Sequence, residues 1–298
     1  MIFTENNLTH AVTLDKAVTQ LSKGQDENYT GEFIHPDTNQ LVRYAINIDG
    51  HGSNHCIQKI RETDLVPFLS KLDPISALSD YVYDSGVVPR NTCSGAVITM
   101  ALIYPDRIVL YNCGDSQYIV YENDEQTYVS VPHDLECDSE KERIKTNPEY
   151  YGTDSSGKKI KLFDTNKMSP QGSKYVMYKN HMMLVPTRAI GHNNIVFHDS
   201  EIHEITLDPT KKYRILLASD GVFDMTILDN PDDANILKTG SAEDIVKFYT
   251  DRWLQEWSYY ENDTDEAPFQ KFSYRRSDCD DVSACVIEIV PAIPAVEV

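Results

Sequence analysis

The sequence predicts an α+β fold, on three observations. Short apolar or alternating runs bounded by turn residues recur along the chain, most densely between residues 94 and 131, as strands do. Two segments, near residues 55–71 and 241–259, instead repeat their apolar residues close to helical period. No internal repeat or low-complexity tract breaks the 298 residues, a length ordinary for one large domain or two smaller ones.

The elements follow in chain order. Tyr44-Ala45-Ile46-Asn47-Ile48 alternates apolar and polar residues and reads as a strand. It runs into Asp49-Gly50-His51-Gly52, a carboxylate, an imidazole and two glycines that let backbone approach an ion closely. Alone, such a tetrapeptide is an ordinary turn. Residues 55–71 form the first helix, with Ile57, Ile60, Leu65, Phe68 and Leu69 on one face. Ser94 to Ile103, Arg107 to Cys113, Gln117 to Tyr121 and Thr127 to Val131 follow as strands, with Pro105-Asp106 and residues 122–125 as turns, the pattern of a β-meander. Arg214 to Ser219 is a further strand and leads into Asp220-Gly221. The second helix opens on Ser241-Ala242-Glu243-Asp244, a capping box with Asp in place of Glu, and carries Ile245, Phe248, Tyr249, Trp253 and Trp257 as a core-facing stripe. Asp280-Asp281 opens the apolar run 282–287, and the tail Pro291-Ala292-Ile293-Pro294 is extended. Three strands with Asp49, Asp220 and Asp280 at their ends suit a hard divalent cation, because Mg²⁺ and Mn²⁺ prefer carboxylate, carbonyl and water oxygens.

Bulk properties narrow the class. The chain is 41% hydrophobic and 25% charged, ordinary for a globular domain. Its net charge of −20 repels phosphate backbones and excludes general nucleic-acid binding. No apolar run approaches the roughly 18 residues of a membrane span. Met1 to Asn7 lacks the basic and apolar pattern of a secretory signal. The six cysteines show no CxxC spacing and read as buried free thiols of a reducing compartment. The expected location is cytoplasmic, with a nuclear one left open. Between Lys141 and Lys179 nine Lys or Arg face four Asp or Glu, with Gly152, Gly157, Pro170 and Gly172 among them. This basic, loop-rich insertion is either a solvated excursion or a flap that meets an anionic partner.

A series of motifs in chain order resembles the metal-dependent protein serine/threonine phosphatases of the 2C type. Gln25-Asp26-Glu27-Asn28 stands at the family's first acidic pair, and Asp49-Gly50-His51-Gly52 matches its Asp-Gly-His-Gly. Cys93-Ser94-Gly95-Ala96 lies at Gly-Ser-Thr-Ala, and Asn112-Cys113-Gly114-Asp115-Ser116 at Asn-x-Gly-Asp-Ser. Pro132-His133-Asp134 leads toward the flap, and Thr187-Arg188-Ala189-Ile190-Gly191 matches Ser/Thr-Arg-Ala-x-Gly. Ala218-Ser219-Asp220-Gly221-Val222-Phe223-Asp224 matches Ala-Ser-Asp-Gly-Leu-Trp-Asp, and Asp280-Asp281-Val282-Ser283 matches Asp-Asn-x-Ser/Thr. The resemblance covers residues 20–290, and its specificity lies in the ordered series.

The resemblance implies a single domain over residues 1–298: a central β-sandwich of two antiparallel sheets flanked by α-helices, four-layer α-β-β-α, with a flap at about residues 139–182. It implies a phosphoserine/phosphothreonine phosphatase holding two Mg²⁺ or Mn²⁺ ions and a third, weaker one. Asp49 would bridge the two core ions, with the Gly50 carbonyl, Asp220, Asp280 and Asp26 as further ligands and Asp115 and Asp224 at the third position. Water activated by the ions would attack phosphorus directly, and His51 would protonate the leaving oxygen. Read singly, His51 could instead be a turn histidine, and Asp115 and Asp224 could cap backbone amides. The implied substrate is a phosphoprotein and the chain a monomer. Departures from the pattern stand at five places. Lys23 is the cation nearest the position of the usual phosphate-binding arginine, and Gln25, Gly95, His192 and Asp281 replace Glu, Thr, Asp and Asn. Two alternatives stay open, a pseudophosphatase that only binds a partner and a hydrolase of another phosphomonoester.

Overall fold

The computed structural model describes residues 10–90, 92–153, 155–168, 174–178, 182–260 and 269–292. Met1 to Asn7, Pro170, Gly172 and Ile293-Pro294 lie outside these residues. The strands gather into two large antiparallel sheets. The first runs in the order β1 (His10–Thr19), Val282–Pro291, Tyr213–Ala218, β6 (Gln117–Glu122), β7 (Glu125–Val129). The second runs Glu201–Thr206, β5 (Arg107–Cys113), β4 (Ser94–Ile103), β3 (Leu41–Gly52), β2 (Glu27–Ile34), with Ile190–Gly191 pairing onto β4.

One apolar cluster joins the sheets, with Ala45, Ala101 and Leu110 of the second against Tyr118, Val120, Ile215, Leu217 and Ile287 of the first. A second cluster places Ile57, Ile60 and Leu78 of α1 (His55–Arg61) and α3 (Pro74–Asp84) with Ile46, Ile48, Ile98 and Met100. A third places Ile245, Tyr249 and Trp253 of α7 (Ala242–Leu254) with Ile119, Leu216 and Val286. Strand periodicity explains the division: Ala45 and Ile46, and Leu216 and Leu217, point to opposite faces of their sheets. The two-sided burial also explains why β4 reads as an unbroken apolar run, every residue of it being buried.

The α+β class agrees with the sequence, and four local readings are corrected. The helix of residues 55–71 is two, α1 and α2 (Val66–Leu69), because Asp64 Oδ1 accepts from Val66 N at 3.1 Å and Pro67 starts a new turn. The helix opening at Ser241 has its capping box, Asp244 N to Ser241 Oγ at 3.1 Å and Ser241 N to Asp244 Oδ2 at 3.0 Å. It ends at Leu254, however, and Trp257 belongs to a strand paired with Phe269–Phe272. The meander is interrupted, since β5 and β6 lie in different sheets and the chain crosses between them at Gly114, whose φ is +122°. Helices α3 and α6 (Pro231–Thr239) were not expected, although Asp73-Pro74 and Asn230-Pro231 are N-cap and first-turn signals.

The basic insertion is not a bare loop. Helix α4 (Asp138–Thr146) and short strands pack Ile144, Tyr150, Phe163, Val176 and Tyr178 against Val97, Leu135 and Ala189.

Candidate active site

Both sheets deliver their acids to one end. Asp49 sits near the end of β3, opposite Val97. Tyr213–Ala218 hands over at Ser219 to α5 (Asp220–Phe223), and Asp224 N donates to the Asp220 carbonyl at 2.7 Å one turn later. Ser219 and Ser283 tie that turn to the neighbouring strand, Ser283 N donating to Ser219 Oγ at 3.1 Å, so Asp280 and Asp220 end side by side. Lys23, Asp49, His51, Asp115, Asp220, Asp224 and Asp280 line one cleft of about 660 Å³. Of the residues named as ligands, Asp26 is buried behind it, accepting from Ser283 Oγ at 2.6 Å. Gly50 admits no side chain, since a Cβ there would lie 2.3 Å from Ile57 Cγ1.

The electrostatics are those of acids crowded away from water. Burial first, then the charges of Asp220, Asp26 and Asp280, hold the Asp49 carboxyl well above the usual range. Burial, then Asp220 and Asp280, push Asp26 up to about 8 against the Ser283 hydrogen bond. Burial and Asp220 push Asp280 up to about 6. Asp115 is raised by burial and then by Asp220 and Asp224. Each carboxylate disfavours its neighbours' charge, and a divalent cation reverses that penalty. The Oδ1 atom of Asp220 is buried with no hydrogen-bond partner, and such an atom commonly marks the place of an ion or water. The donor set is all oxygen, which fits Mg²⁺ or Mn²⁺. Among the described residues no three acidic, His or Cys side chains converge tightly enough to hold an ion as they stand. Lys23 Nζ stands among them instead, 2.7 Å from Asp280 Oδ2. Burial alone would lower the Lys23 ammonium, but Asp280, Asp220 and Asp49 outweigh it and hold it above its ordinary value.

The departures from the family pattern have structural roles that the sequence did not reveal. Asp281 is a buried clamp on the loop that carries Lys23. Its Oδ1 accepts from Leu21 N at 2.8 Å, Ser22 N at 3.1 Å and Lys23 N at 3.3 Å, and its Oδ2 from Gln25 N at 2.9 Å. Gln25 braces the turn after β3, donating to the Gly52 carbonyl at 3.0 Å and Asn54 Oδ1 at 2.6 Å. Among the described residues, Lys174 is the insertion's lysine that lines the cleft.

His192 lies against His51, their Nε2 atoms 2.6 Å apart. Burial lowers His192 to about 4, and burial followed by the charges of His192 and Lys23 holds His51 well below an ordinary imidazole. Gly191, His192, Asn193 and Asn194 all have positive φ, between +49° and +80°. A left-handed backbone costs about 1–2 kcal/mol per ordinary residue, with glycine and asparagine the most tolerant. The run is held by Asn193 Nδ2 donating to the Pro89 carbonyl at 3.2 Å and by Ser79 Oγ donating to Asn194 Oδ1 at 3.1 Å.

Comparison with known proteins places this arrangement. The profile of the Protein phosphatase 2C family matches residues 27–229. The chain belongs to the protein phosphatase 2C family, and with it to the serine/threonine protein phosphatases. Its fold is shared by serine-threonine phosphatase 2C from Toxoplasma gondii at a TM-score of 0.57 and 12% identity, over 94% of each chain. The catalytic domain of the serine/threonine phosphatase PstP, with two manganese ions, superposes at 0.52 and 15% identity over 95% of this chain and 100% of its own. A C. elegans sex-determining protein superposes at 0.58 and 15% identity over 93% of this chain, which spans 64% of that protein's length. No curated protein matches the chain in sequence.

Proposed function

We propose that this 2C-type chain hydrolyses phosphoserine and phosphothreonine in proteins with two Mg²⁺ or Mn²⁺ ions held by Asp49, the Gly50 carbonyl, Asp220 and Asp280. The observation that carries the reading is the unpartnered Oδ1 of Asp220 among Asp49, Asp26 and Asp280, acids that raise one another's pKa. The manganese pair in PstP supports two ions. Asp26 supports the site from behind through Ser283, and Asp115 and Asp224 would serve a third ion. The clusters between and outside the sheets support an α-β-β-α layering of one domain, with residues 139–182 as a flap over the cleft.

When bound, the ions supply Lewis acidity for the attacking water and neutralise the phosphoryl oxygens. The chain's own residues do the rest. His51 lines the cleft beside Asp49 and holds the proton that the departing serine or threonine oxygen needs. Lys23 meets the phosphate as a point charge once released from Asp280, without the two-pronged geometry of an arginine. Lys174 at the flap edge attracts an anionic phosphopeptide, and its pair with Glu136 at 2.7 Å keeps it at the cleft.

The Lys23–Asp280 pair favours one other reading, a binding module that keeps this internal cation and takes no metal. Calorimetric titration with Mn²⁺ separates the two. The phosphatase reading expects two ions on wild type and neither on Asp49→Asn; no binding to wild type even at millimolar Mn²⁺ overturns it.

A further inference from the structure

Two departures from the family motifs, Gly95 and His192, occupy one spot, with Cys93 beside them. In the register Gly95 lies opposite His51 on one side and Gly191 on the other. The chain then turns left-handed at His192, whose φ is +49°. The imidazole fills the space that a side chain at 95 would need, since a Cβ on Gly95 would lie 2.1 Å from His192 Nε2. The exchange at 95 and the exchange at 192 are therefore one change. The ring is buried and ends 2.6 Å from His51 Nε2. The rings are inclined by only 19°, with centroids 4.8 Å apart. That separation equals the contact plus both ring radii, so the imidazoles meet head to head, as hydrogen bonding requires, and not face to face. The far nitrogen, His192 Nδ1, faces Cys93 Sγ at 3.8 Å.

We propose that His192 is a positioning residue for His51: it accepts the His51 Nε2–H, fixes that ring's orientation, and so makes Nδ1 the nitrogen that delivers the leaving oxygen's proton. This rests on the phosphatase reading above. The His192 Nδ1–H then points to the Cys93 sulfur, so each nitrogen has a role. In the chemical step a proton taken up at His51 Nδ1 is handed on: that N–H bond breaks and an O–H bond forms on the departing serine. His51 is left neutral, with Nε2–H still donated to His192. A carboxylate on the back of a catalytic histidine orients it in the same way, and here a neutral imidazole does so.

The test uses the Mg²⁺-loaded full chain and two readouts. Proton NMR of wild type is expected to show a low-field imidazole N–H shared by the pair, lost in both His192→Asn and His51→Gln. Asparagine keeps the left-handed backbone at 192. Turnover is the second readout. His192→Asn is expected to lower kcat on a phosphoserine peptide about 10- to 100-fold, a part of what general acid catalysis supplies. The same variant is expected to change kcat on p-nitrophenyl phosphate, whose leaving group needs no proton, far less, with KM unchanged on both. Absence of the resonance in wild type, its persistence in His192→Asn, or equal losses on both substrates would overturn the proposal. If His192→Asn does not fold, wild type and His51→Gln decide by the resonance. If wild type turns over neither substrate, the phosphatase reading fails and the resonance alone judges the pair.

Discussion

Replacing Asp281 by asparagine, the residue at this position in the family pattern, is expected to weaken this protein. The carboxylate is 1% exposed and accepts four backbone N–H groups from the 21–25 loop. An asparagine can keep its oxygen toward Leu21, Ser22 and Lys23, but its amide nitrogen then faces Gln25 N–H, donor to donor. Turning the amide over leaves three donors facing it. The milder orientation loses one hydrogen bond to a charged acceptor and strands a buried N–H, about 2–4 kcal/mol together. A gain opposes this, because one negative charge leaves the cluster. Asp281 is the last of the causes that raise Asp26, so the gain is the smaller effect. The net loss corresponds to a fall of roughly 3–6 °C in Tm for a chain of this size. Thermal unfolding of wild type and Asp281→Asn in chelator measures it, and a higher KM should accompany it because the loop carries Lys23. An unchanged or raised Tm would refute the clamp.

Two further outcomes follow from the same geometry. In chelator, stability should fall as pH rises from 6.5 to 8. The folded chain keeps the Asp26 proton up to about 8 while the unfolded chain has lost it, so this group costs at most about 1.4 kcal/mol per pH unit in that window. The buried histidines, lowered in the fold, oppose this fall near pH 6.5, where the unfolded chain still holds about half of their protons, so the fall is clearest above about pH 7; saturating Mg²⁺ should abolish it, and calorimetric Tm values that stay flat from pH 7 to 8 in chelator would count against the crowded carboxylates. Lys174→Gln should raise KM for an acidic phosphopeptide a few-fold at low salt with kcat unchanged, the effect vanishing in high salt as charges are screened; a salt-independent KM would return Lys174 to a structural role.

Strand periodicity made most of both sheets legible, because each face of Leu41–Gly52 and Tyr213–Ala218 meets a different layer. The same two-sided burial hid the crossover at Gly114, since apolar runs carry no mark of the sheet they join. Helices α3 and α6 are short, and their Asp73-Pro74 and Asn230-Pro231 start signals mark them in the sequence more plainly than apolar period does. At the site, the motif residues Asp49, His51, Asp115, Asp220, Asp224, Asp280 and the nearby Lys23 line one cleft, while Asp26 lies behind. Motif order is local information and strand ends carry it. The 2.6 Å meeting of His51 and His192 depends on a left-handed turn 141 residues away in sequence. Only the exchanges at 95 and 192 pointed toward it, and nothing in the sequence says that they compensate each other.

Metal-dependent hydrolysis is tested most directly by phosphate release from a phosphoserine peptide by the full chain, in Mn²⁺ and in excess chelator, with Asp49→Asn alongside. Turnover is expected in Mn²⁺, none in chelator, and a loss of orders of magnitude in Asp49→Asn, because that carboxylate is proposed to serve both core ions. Undiminished turnover in chelator, or normal turnover by Asp49→Asn, would contradict this expectation.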